Sequence, residues 1–237
     1  MLRLVTWNCR VGGFRYKAAH VAQLRPDLLA VQEVERRVMQ APIFGGEPQP
    51  TYRDRVGDPA FPRRAIGLFS YTGLDIRAVD LEAPLPAFRR YVARKADLEF
   101  NVIATWTAAT NDKATSYRQA HEGIEAHRDW IRERPTVLLG DLNDNASYKG
   151  TRWTDFMALL QPLGLFSAYH DFYSEAPGSE TRPTHFYHGV ETARFHLDYC
   201  FLPDEWRSHI EDVRVGAFSP SWKEISDHVP LIVDLDL

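Results

Sequence analysis

Residues 136–143 read Thr-Val-Leu-Leu-Gly-Asp-Leu-Asn, a short apolar run that ends in a glycine, an acid and an amide. An apolar run of this length, bounded by turn-forming residues, is consistent with a buried strand. Polar groups occur in the same way at four other places: Thr6-Trp7-Asn8, Gln32-Glu33, Leu197-Asp198-Tyr199 and Ser226-Asp227-His228. Polar residues at the ends of several separate strands are how an α/β scaffold assembles an active site.

The length and composition favour one ordinary globular domain over residues 1–237. The chain is 44% hydrophobic and 25% charged, and its two cysteines, Cys9 and Cys200, are too few for a disulfide framework. We expect both to be buried thiols. The N-terminus has no signal-peptide pattern, and no apolar run approaches the roughly 20 residues of a membrane span. We therefore expect a cytoplasmic monomer with no membrane contact.

The formal net charge of -4 argues against a long nucleic-acid track, although it leaves room for a local basic groove. Short basic pairs recur, and a solvated surface is the plainer interpretation of them.

The pattern along the chain mixes alternation of strands and helices with runs of consecutive strands. Strands are predicted at 2–7, 28–31, 65–70, 74–81, 91–96, 98–106, 136–139, 194–202 and 231–237, and helices at 16–24, 115–134 and 153–160. Residues 36–64 and 162–184 are predicted to be loop-rich. Turn signals at Thr72-Gly73 and Asp97 suggest that the strands on either side are antiparallel neighbours. This mixture favours two packed sheets flanked by helices over one doubly wound sheet.

Asp141 and Asn143 are spaced i, i+2, which in extended chain places both side chains on one face. Gly140 before them permits a close backbone approach. The acid can activate a water or hold a cation, and the amide can bind a substrate oxygen. A turn that merely caps the strand is an equally good interpretation, because Asp144 and Asn145 extend the polar run.

Glu33 ends an apolar run, so its carboxylate needs a partner if it is buried. A metal ion is one candidate, and a salt bridge with Arg36 or Arg37 is another. Magnesium is commonly held by one or two carboxylates, with waters and substrate phosphates in the remaining positions.

His228 is the best candidate for acid or electrostatic work, because the ordinary pKa of histidine lies near neutrality. Adjacent Asp227 is badly placed to orient it, since neighbours in extended chain point to opposite sides. We therefore predict a dyad between His228 and Asp198, which lies on a separate strand. Asp227 is left to approach a metal or its waters.

Three further histidines, His185, His188 and His196, lie close to Asp198 in the sequence. Their spacing invites a zinc hypothesis. The aromatic residues around them favour packed histidines or a substrate wall instead.

In this order, the five polar motifs resemble those of the endonuclease/exonuclease/phosphatase superfamily of DNase I-like metal-dependent phosphoesterases. Each motif is short, but the five together are specific and span nearly the whole chain. The resemblance implies a four-layer α/β sandwich, with two packed, mixed and mostly antiparallel sheets flanked by helices. It places the active site at one edge of the two sheets.

The resemblance also implies roles for the site residues. It makes Glu33 the ligand of a Mg²⁺ or Mn²⁺ ion, with Asn8 beside it and Asp227 as a nearby second acid. It makes Asp141 the residue that positions and deprotonates the attacking water. Asn143 contacts a phosphate oxygen, and His228, held by Asp198, stabilises the transition state. These roles agree with the need of phosphoryl transfer for positioning and charge stabilisation.

Trp106 departs from the pattern of the superfamily. Many members carry a phosphate-contacting His or Tyr after the strand that corresponds to 101–105, whereas an indole offers one N–H donor and no charge. The contact then passes to Thr105, Thr107 or Asn111. Trp106 is left to bind substrate by stacking on a base, which is worth about 1–3 kcal/mol.

The sequence thus predicts a metal-dependent phosphoester hydrolase, most plausibly a phosphodiesterase or nuclease acting on nucleic acid. Two alternatives stay open. One is a phosphomonoesterase acting on a small phosphorylated substrate, and the other is a non-catalytic binding module on the same fold.

Overall fold

Two six-stranded sheets pack face to face in the computed structural model of the protein. The structure describes residues 1–39, 49–57, 65–80, 85, 87–107 and 113–237, without the side chains of residues 113 and 114.

The described residues form fourteen strands. In chain order these are β1 (Leu2–Asn8), β2 (Leu28–Gln32), β3 (Tyr52–Gly57), β4 (Ala65–Ser70), β5 (Asp75–Val79), β6 (Phe88–Lys95), β7 (Leu98–Trp106), β8 (Thr136–Asp141), β9 (Leu165–Ser167), β10 (His185–Phe186), β11 (Arg194–Phe195), β12 (Asp198–Pro203), β13 (Ile210–Val215) and β14 (Leu231–Leu235). The first sheet has the order β13-β14-β1-β2-β4-β3 and the second β5-β6-β7-β8-β12-β9, while β10 and β11 pair with each other. The pairs β1–β2 and β7–β8 are parallel and the other neighbours are antiparallel, which confirms the predicted mixed sheets.

The α-helices of the described residues are α1 (Phe14–Ala22), α2 (Lys113–Glu133), α3 (Trp153–Leu160) and α4 (Ala168–Tyr173). Helix α1 covers the outer face of the first sheet, α2 and α3 cover that of the second, and α4 packs into the core between the sheets. Short 3-10 turns lie at Arg36–Met39, Gln161–Leu163, Tyr187–Gly189 and Asp204–His209, and a π turn lies at Phe218–Trp222. Within the described residues, none of the helices combines the length and apolarity of a membrane-spanning segment.

Alternation along the central strands explains the layers. In β1, Leu4 belongs to the core between the sheets, whereas Val5 packs with α1. In β8, Leu139 faces the same inner core, whereas Leu138 packs with α2 and α3. The central strands are therefore buried on both faces, and their apolar runs follow from this. The four-layer α/β sandwich that the resemblance implied is confirmed.

Several elements depart from the sequence prediction. The predicted loop 36–64 contains the edge strand β3, whose Arg-Asp-Arg sequence hides its strand character. The segment 162–184 contains β9 and α4, and β13 was not predicted. The turn at Asp97 does join antiparallel neighbours, β6 and β7. The turn at Thr72-Gly73 does not, because the chain there crosses from the first sheet to the second.

Candidate active site

The ends of four central strands meet at one edge of the two sheets. In the first sheet, β1 and β2 are parallel and in register, so Asn8 lies beside Gln32 and close to Glu33. In the second sheet, β12 runs antiparallel to β8, so Asp198 is directly opposite Asp141. A hydrogen bond joins the sheets, because Nδ2 of Asn8 donates to Oδ2 of Asp141 at 2.9 Å.

His228 and Asp198 form a close buried pair. Nδ1 of His228 lies 2.8 Å from Oδ2 of Asp198. Thr184, which the sequence reasoning missed, orients Asp198: its Oγ1 accepts the backbone N–H groups of Leu197 at 2.9 Å and Asp198 at 3.0 Å. The structure thus brings together the two residues that the sequence paired through space.

Ser226 ties the histidine segment to the first sheet. Its hydroxyl donates to the backbone carbonyl of Asn8 at 2.8 Å and accepts the backbone N–H of His228 at 3.1 Å. The indole N–H of Trp7 donates to the carbonyl of His228 at 3.0 Å. His228 is therefore held by its backbone as well as by its ring, which favours a fixed geometry.

Asp141 faces the other nitrogen of the His228 ring, with Nε2 of His228 lying 4.0 Å from its Oδ2. Burial raises the pKa of Asp141 to about 7, and the charge of Asp198 acts in the same direction, whereas His228 and Asn8 act against it. A carboxylate with a pKa near neutrality is suited to accept a proton from water at physiological pH.

His228 is held in its charged form. Burial lowers the pKa of its imidazole, but the charge and hydrogen bond of Asp198, together with the charge of Asp141, outweigh it and raise the pKa of His228 to about 9. The site at neutral pH therefore places an imidazolium between two carboxyl groups.

One atom of this group is left unsatisfied. Among the described residues, Oδ1 of Asp198 finds no hydrogen-bond partner, although the side chain is fully buried. Buried carboxylate oxygens usually have partners, and an exception is expected where a site is built for chemistry rather than for stability.

Asn143 reaches Asp141 through a turn and not through strand alternation, so the extended-chain reason for pairing them was wrong. Strand β8 ends at Asp141, and Asn143 has a φ of 47°. Its backbone N–H donates to Oδ1 of Asp141 at 2.8 Å, which is the capping turn left open by the sequence. Its amide nitrogen donates to Oδ2 of Asp141 at 3.1 Å and to the carbonyl of Thr107 at 2.8 Å. Asn143 therefore orients Asp141, and its contact with phosphate stays a prediction.

Gly140 is required where it stands. Its φ is 151°, and a Cβ at this position would lie 1.9 Å from the carbonyl oxygen of Thr105. The close backbone approach predicted from the sequence is confirmed, and it sets the position of Asp141.

Glu33 and Asn8 lie side by side at the first sheet, with the amide nitrogen of Asn8 towards Glu33 and Oδ1 of Asn8 accepting the backbone N–H of Arg10 at 2.9 Å. Glu33 has a φ of 62°, an uncommon conformation for a residue with a side chain. Its Oε2 accepts the backbone N–H of Val11 at 2.6 Å, and its Oε1 lies 3.5 Å from Nδ2 of Asn8. A partly exposed carboxylate beside a buried amide, with no sulfur or imidazole, fits a hard cation such as Mg²⁺ or Mn²⁺.

Asp227 lies with imidazoles rather than with Glu33. Its Oδ2 is 3.3 Å from Nε of Arg10. Among the described residues, it belongs to a set with His185 and His228 whose metal-binding atoms lie within 4.8 Å of one another. Asp141, Asp198 and His228 form a second such set. The assignment of Asp227 as a metal ligand beside Glu33 stays a prediction.

Trp106 lies in the core between the sheets and is 8% exposed. Its ring offers little surface to a base, so its burial does not favour the predicted stacking. The hydroxyls of Thr105 and Thr107 donate to the carbonyls of Ala87 and Leu142. Asn111 lies outside the described residues.

The three additional histidines lie in different surroundings. His196 is buried against Tyr169, with ring centroids 4.2 Å apart, and burial lowers its pKa to about 4. His188 is exposed, and His185 lies beside His228. Among the described residues, the three histidines do not come together as possible ligands of one metal ion. His196 is instead a packed histidine, which was one of the predicted alternatives. Cys9 and Cys200 are both free and buried, as predicted.

No protein-family model matches the sequence, and no curated protein matches it. Solved structures do resemble the chain. An AP endonuclease from Archaeoglobus fulgidus is 17% identical, with a TM-score of 0.73 and 100% of both chains covered. The 3′ phosphatase NExo from Neisseria, bound to product DNA hairpin, is 16% identical, with a TM-score of 0.72 and 100% of both chains covered. The chain has the DNase I-like fold. An AP endonuclease from Leishmania major shares this DNase I-like architecture at 14% identity and a TM-score of 0.72, over 100% of this chain and 88% of its own.

The predicted DNase I-like fold is therefore confirmed. At these identities the likeness establishes the DNase I-like fold and leaves the activity to be argued from the site.

Proposed function

We propose that the protein is a Mg²⁺- or Mn²⁺-dependent phosphodiesterase that hydrolyses nucleic acid. The observation that carries the proposal is the line of groups formed by Asp198, His228 and Asp141, with spacings of 2.8 Å and 4.0 Å. It places a fixed positive charge beside a carboxylate whose pKa is near neutrality. Phosphoryl transfer needs such positioning and charge stabilisation more than covalent chemistry.

Asp141 holds the attacking water and accepts its proton. The water oxygen forms a bond to phosphorus as the bond to the leaving oxygen breaks. Asn8 and Asn143 fix the carboxylate of Asp141 through the hydrogen bonds already described. The burial that raises its pKa favours a base that is active near neutrality.

His228 stabilises the negative charge that builds on the phosphate oxygens. Asp198 keeps its ring charged and oriented, and Thr184 keeps Asp198 in place. Preorganised donors aimed at developing charge are commonly the largest contribution to catalysis. Glu33 and Asn8 would hold the cation, which when bound supplies further positive charge to the phosphate.

Nucleic acid is the proposed substrate because structural neighbours are nucleases and a DNA 3′ phosphatase. The 3′ phosphatase also keeps a phosphomonoesterase reaction as the second candidate. A non-catalytic module is disfavoured, since a dead site has no need for buried, clustered and partly unsatisfied acids.

The test is a comparison of substrates with Mg²⁺ or Mn²⁺ and with EDTA. We expect bis-p-nitrophenyl phosphate, a diester, to be hydrolysed faster than p-nitrophenyl phosphate, a monoester. A DNA duplex with one abasic site and a DNA duplex with a 3′ phosphate make the same comparison on nucleic acid. EDTA should abolish both reactions. A preference for the monoester would overturn the phosphodiesterase assignment, and metal-independent turnover would overturn the role of Glu33.

A further inference from the structure

His185 lies directly opposite His228 in a short antiparallel bridge. Two backbone hydrogen bonds define it: the N–H of Phe186 donates to the carbonyl of Asp227 at 2.7 Å, and the N–H of Val229 donates to the carbonyl of Thr184 at 2.8 Å. Directly opposed residues of an antiparallel pair project to the same face. The ring centroids of the two histidines are accordingly 4.5 Å apart.

The His185 ring packs against a neighbouring strand, and the next residue anchors its backbone. It stacks on Phe195, its partner in the β10–β11 pair, with centroids 6.3 Å apart and ring planes at 25°. The next residue, Phe186, is buried and stacks on Phe218 at 3.9 Å. His185 itself is partly exposed, so it presents a fixed imidazole edge at the surface of the site.

Among the described residues next to Trp106, the threonine hydroxyls are directed to the protein. The Trp106 ring is buried, and the hydroxyls of Thr105 and Thr107 donate to backbone carbonyls. His185 is an N–H donor that already stands beside His228. The two candidate metal sets of the described residues share only His228, with Asp141 in one and His185 in the other. Asp141 and His185 therefore each have a metal-binding atom within 4.8 Å of one on His228, but they do not form a joint set with it.

We propose that His185 is a substrate-contacting residue that donates a hydrogen bond to an oxygen of the scissile phosphoester, beside His228 and away from Asp141. The inference rests on the proposed function for the identity of the substrate. It assigns the contact to β10, whereas the hydroxyls of Thr105 and Thr107 donate to carbonyls of the protein.

The experiment compares three variants, His185→Ala, His185→Phe and His185→Asn, with the wild-type protein. The Phe variant keeps a ring against Phe195 but removes the donor, and the Asn variant keeps an N–H donor without the ring. His188→Ala, an exposed neighbour, is the control for changes in this segment. The readouts are the affinity for inorganic phosphate with Mg²⁺, measured by calorimetry, and kcat/KM for bis-p-nitrophenyl phosphate.

We expect the Ala and Phe variants to lose about 10- to 100-fold in phosphate affinity and in kcat/KM, which is the range for a hydrogen bond to a charged group. The Asn variant should recover part of the loss, and His188→Ala should behave as wild type. If the Phe variant matches wild type, or if all three do, the proposed contact is wrong.

The two proposals fail separately. If all three His185 variants turn over substrate at the wild-type rate, the proposed contact is wrong and the proposed phosphodiesterase activity still stands. If phosphate affinity falls in His185→Ala and His185→Phe while neither the wild type nor any variant turns over substrate, the contact is supported and the proposed phosphodiesterase activity is wrong.

Discussion

Two histidine–carboxylate pairs whose side chains are largely covered lie near strand β12, and they differ in what surrounds them. Nδ1 of His228 is 2.8 Å from Asp198, and Nε2 of His170 is 3.0 Å from Glu180. All four side chains are at most 10% exposed. Burial and ion pairing therefore do not separate a site for chemistry from a structural contact.

The difference lies in how completely the groups are satisfied. Nδ1 of His170 lies 2.8 Å from Oγ of Ser167, and Glu180 accepts hydrogen bonds from the Gly178 backbone at 2.9 Å and the Asn145 amide at 3.2 Å. Around His228, the free ring nitrogen faces a second carboxylate, and an oxygen of Asp198 is unsatisfied among the described residues. The pair that we assign to catalysis is thus distinguished by a second carboxylate beside the histidine and by a carboxylate oxygen that lacks a hydrogen bond among the described residues.

The largest effect is expected from Asp141→Asn, which removes the base. We expect kcat to fall by roughly 10²- to 10⁴-fold, the usual contribution of a general base. The matched control is Glu180→Gln, which removes an acid from the satisfied pair and should leave turnover per folded molecule unchanged. Hydrolysis of bis-p-nitrophenyl phosphate with Mg²⁺ checks both. Equal losses in the two variants would erase the distinction between the pairs.

Glu33→Gln tests the metal side of the site. Because it replaces the carboxylate of the Glu33–Asn8 pair by a neutral amide, we expect the Mg²⁺ concentration for half-maximal rate to rise by about 10- to 100-fold. A Mg²⁺ titration of the rate measures this. An unchanged Mg²⁺ requirement would place the cation elsewhere, for instance at the set that contains Asp227.

The pH dependence of the rate sharpens the comparison further. The wild-type rate should rise as pH passes through about 7, where Asp141 loses its proton, and fall through about 9, where His228 loses its proton. Asp198→Asn removes the charge that raises the pKa of His228 most, so this pKa falls and the alkaline limb moves to lower pH. An alkaline limb that stays in place would show that it does not report His228.

The smallest effect concerns stability and belongs to the satisfied pair. Burial raises the pKa of Glu180, but hydrogen bonds from His170 and the Gly178 backbone outweigh it and lower the pKa from its ordinary value of 4.5 to about 2. The stability gained is present above pH 4.5 and lost as pH falls towards 2. Glu180→Gln should therefore lower the free energy of unfolding by about 1–3 kcal/mol at pH 7.

Urea denaturation at pH 7 and at pH 3 measures this loss, and the difference between the variant and wild type should shrink at the lower pH. A difference that does not depend on pH would mean that the charge of Glu180 contributes nothing.

The sequence predicted the fold well where strands are buried on both faces. The runs before Asp141 and Glu33 have the continuous apolar character that such burial demands. It failed at β3, because an edge strand can carry charges and needs no apolar pattern. The crossing at Thr72-Gly73 was also missed, since a turn signal does not say which sheet follows.

Within the candidate site, the pairing of His228 with Asp198 followed from the opposite directions of neighbouring side chains. Thr184 was missed, and His185 was interpreted only as a packed histidine or part of a substrate wall. The positions of both depend on the bridge between His185 and His228 and on the contact of Thr184 with Asp198, which no local pattern encodes. The turn at Asn143 depends on a positive φ that the sequence left as one of two alternatives.

The most direct test of the account compares His228→Ala with His170→Ala in the hydrolysis of bis-p-nitrophenyl phosphate with Mg²⁺, per folded molecule. We predict that His228→Ala loses roughly 10²- to 10³-fold in kcat, the usual cost of removing one transition-state donor, while His170→Ala keeps the wild-type rate despite lower stability. Equal rates for His228→Ala and wild type would contradict the central claim that this histidine and its two acids perform the chemistry.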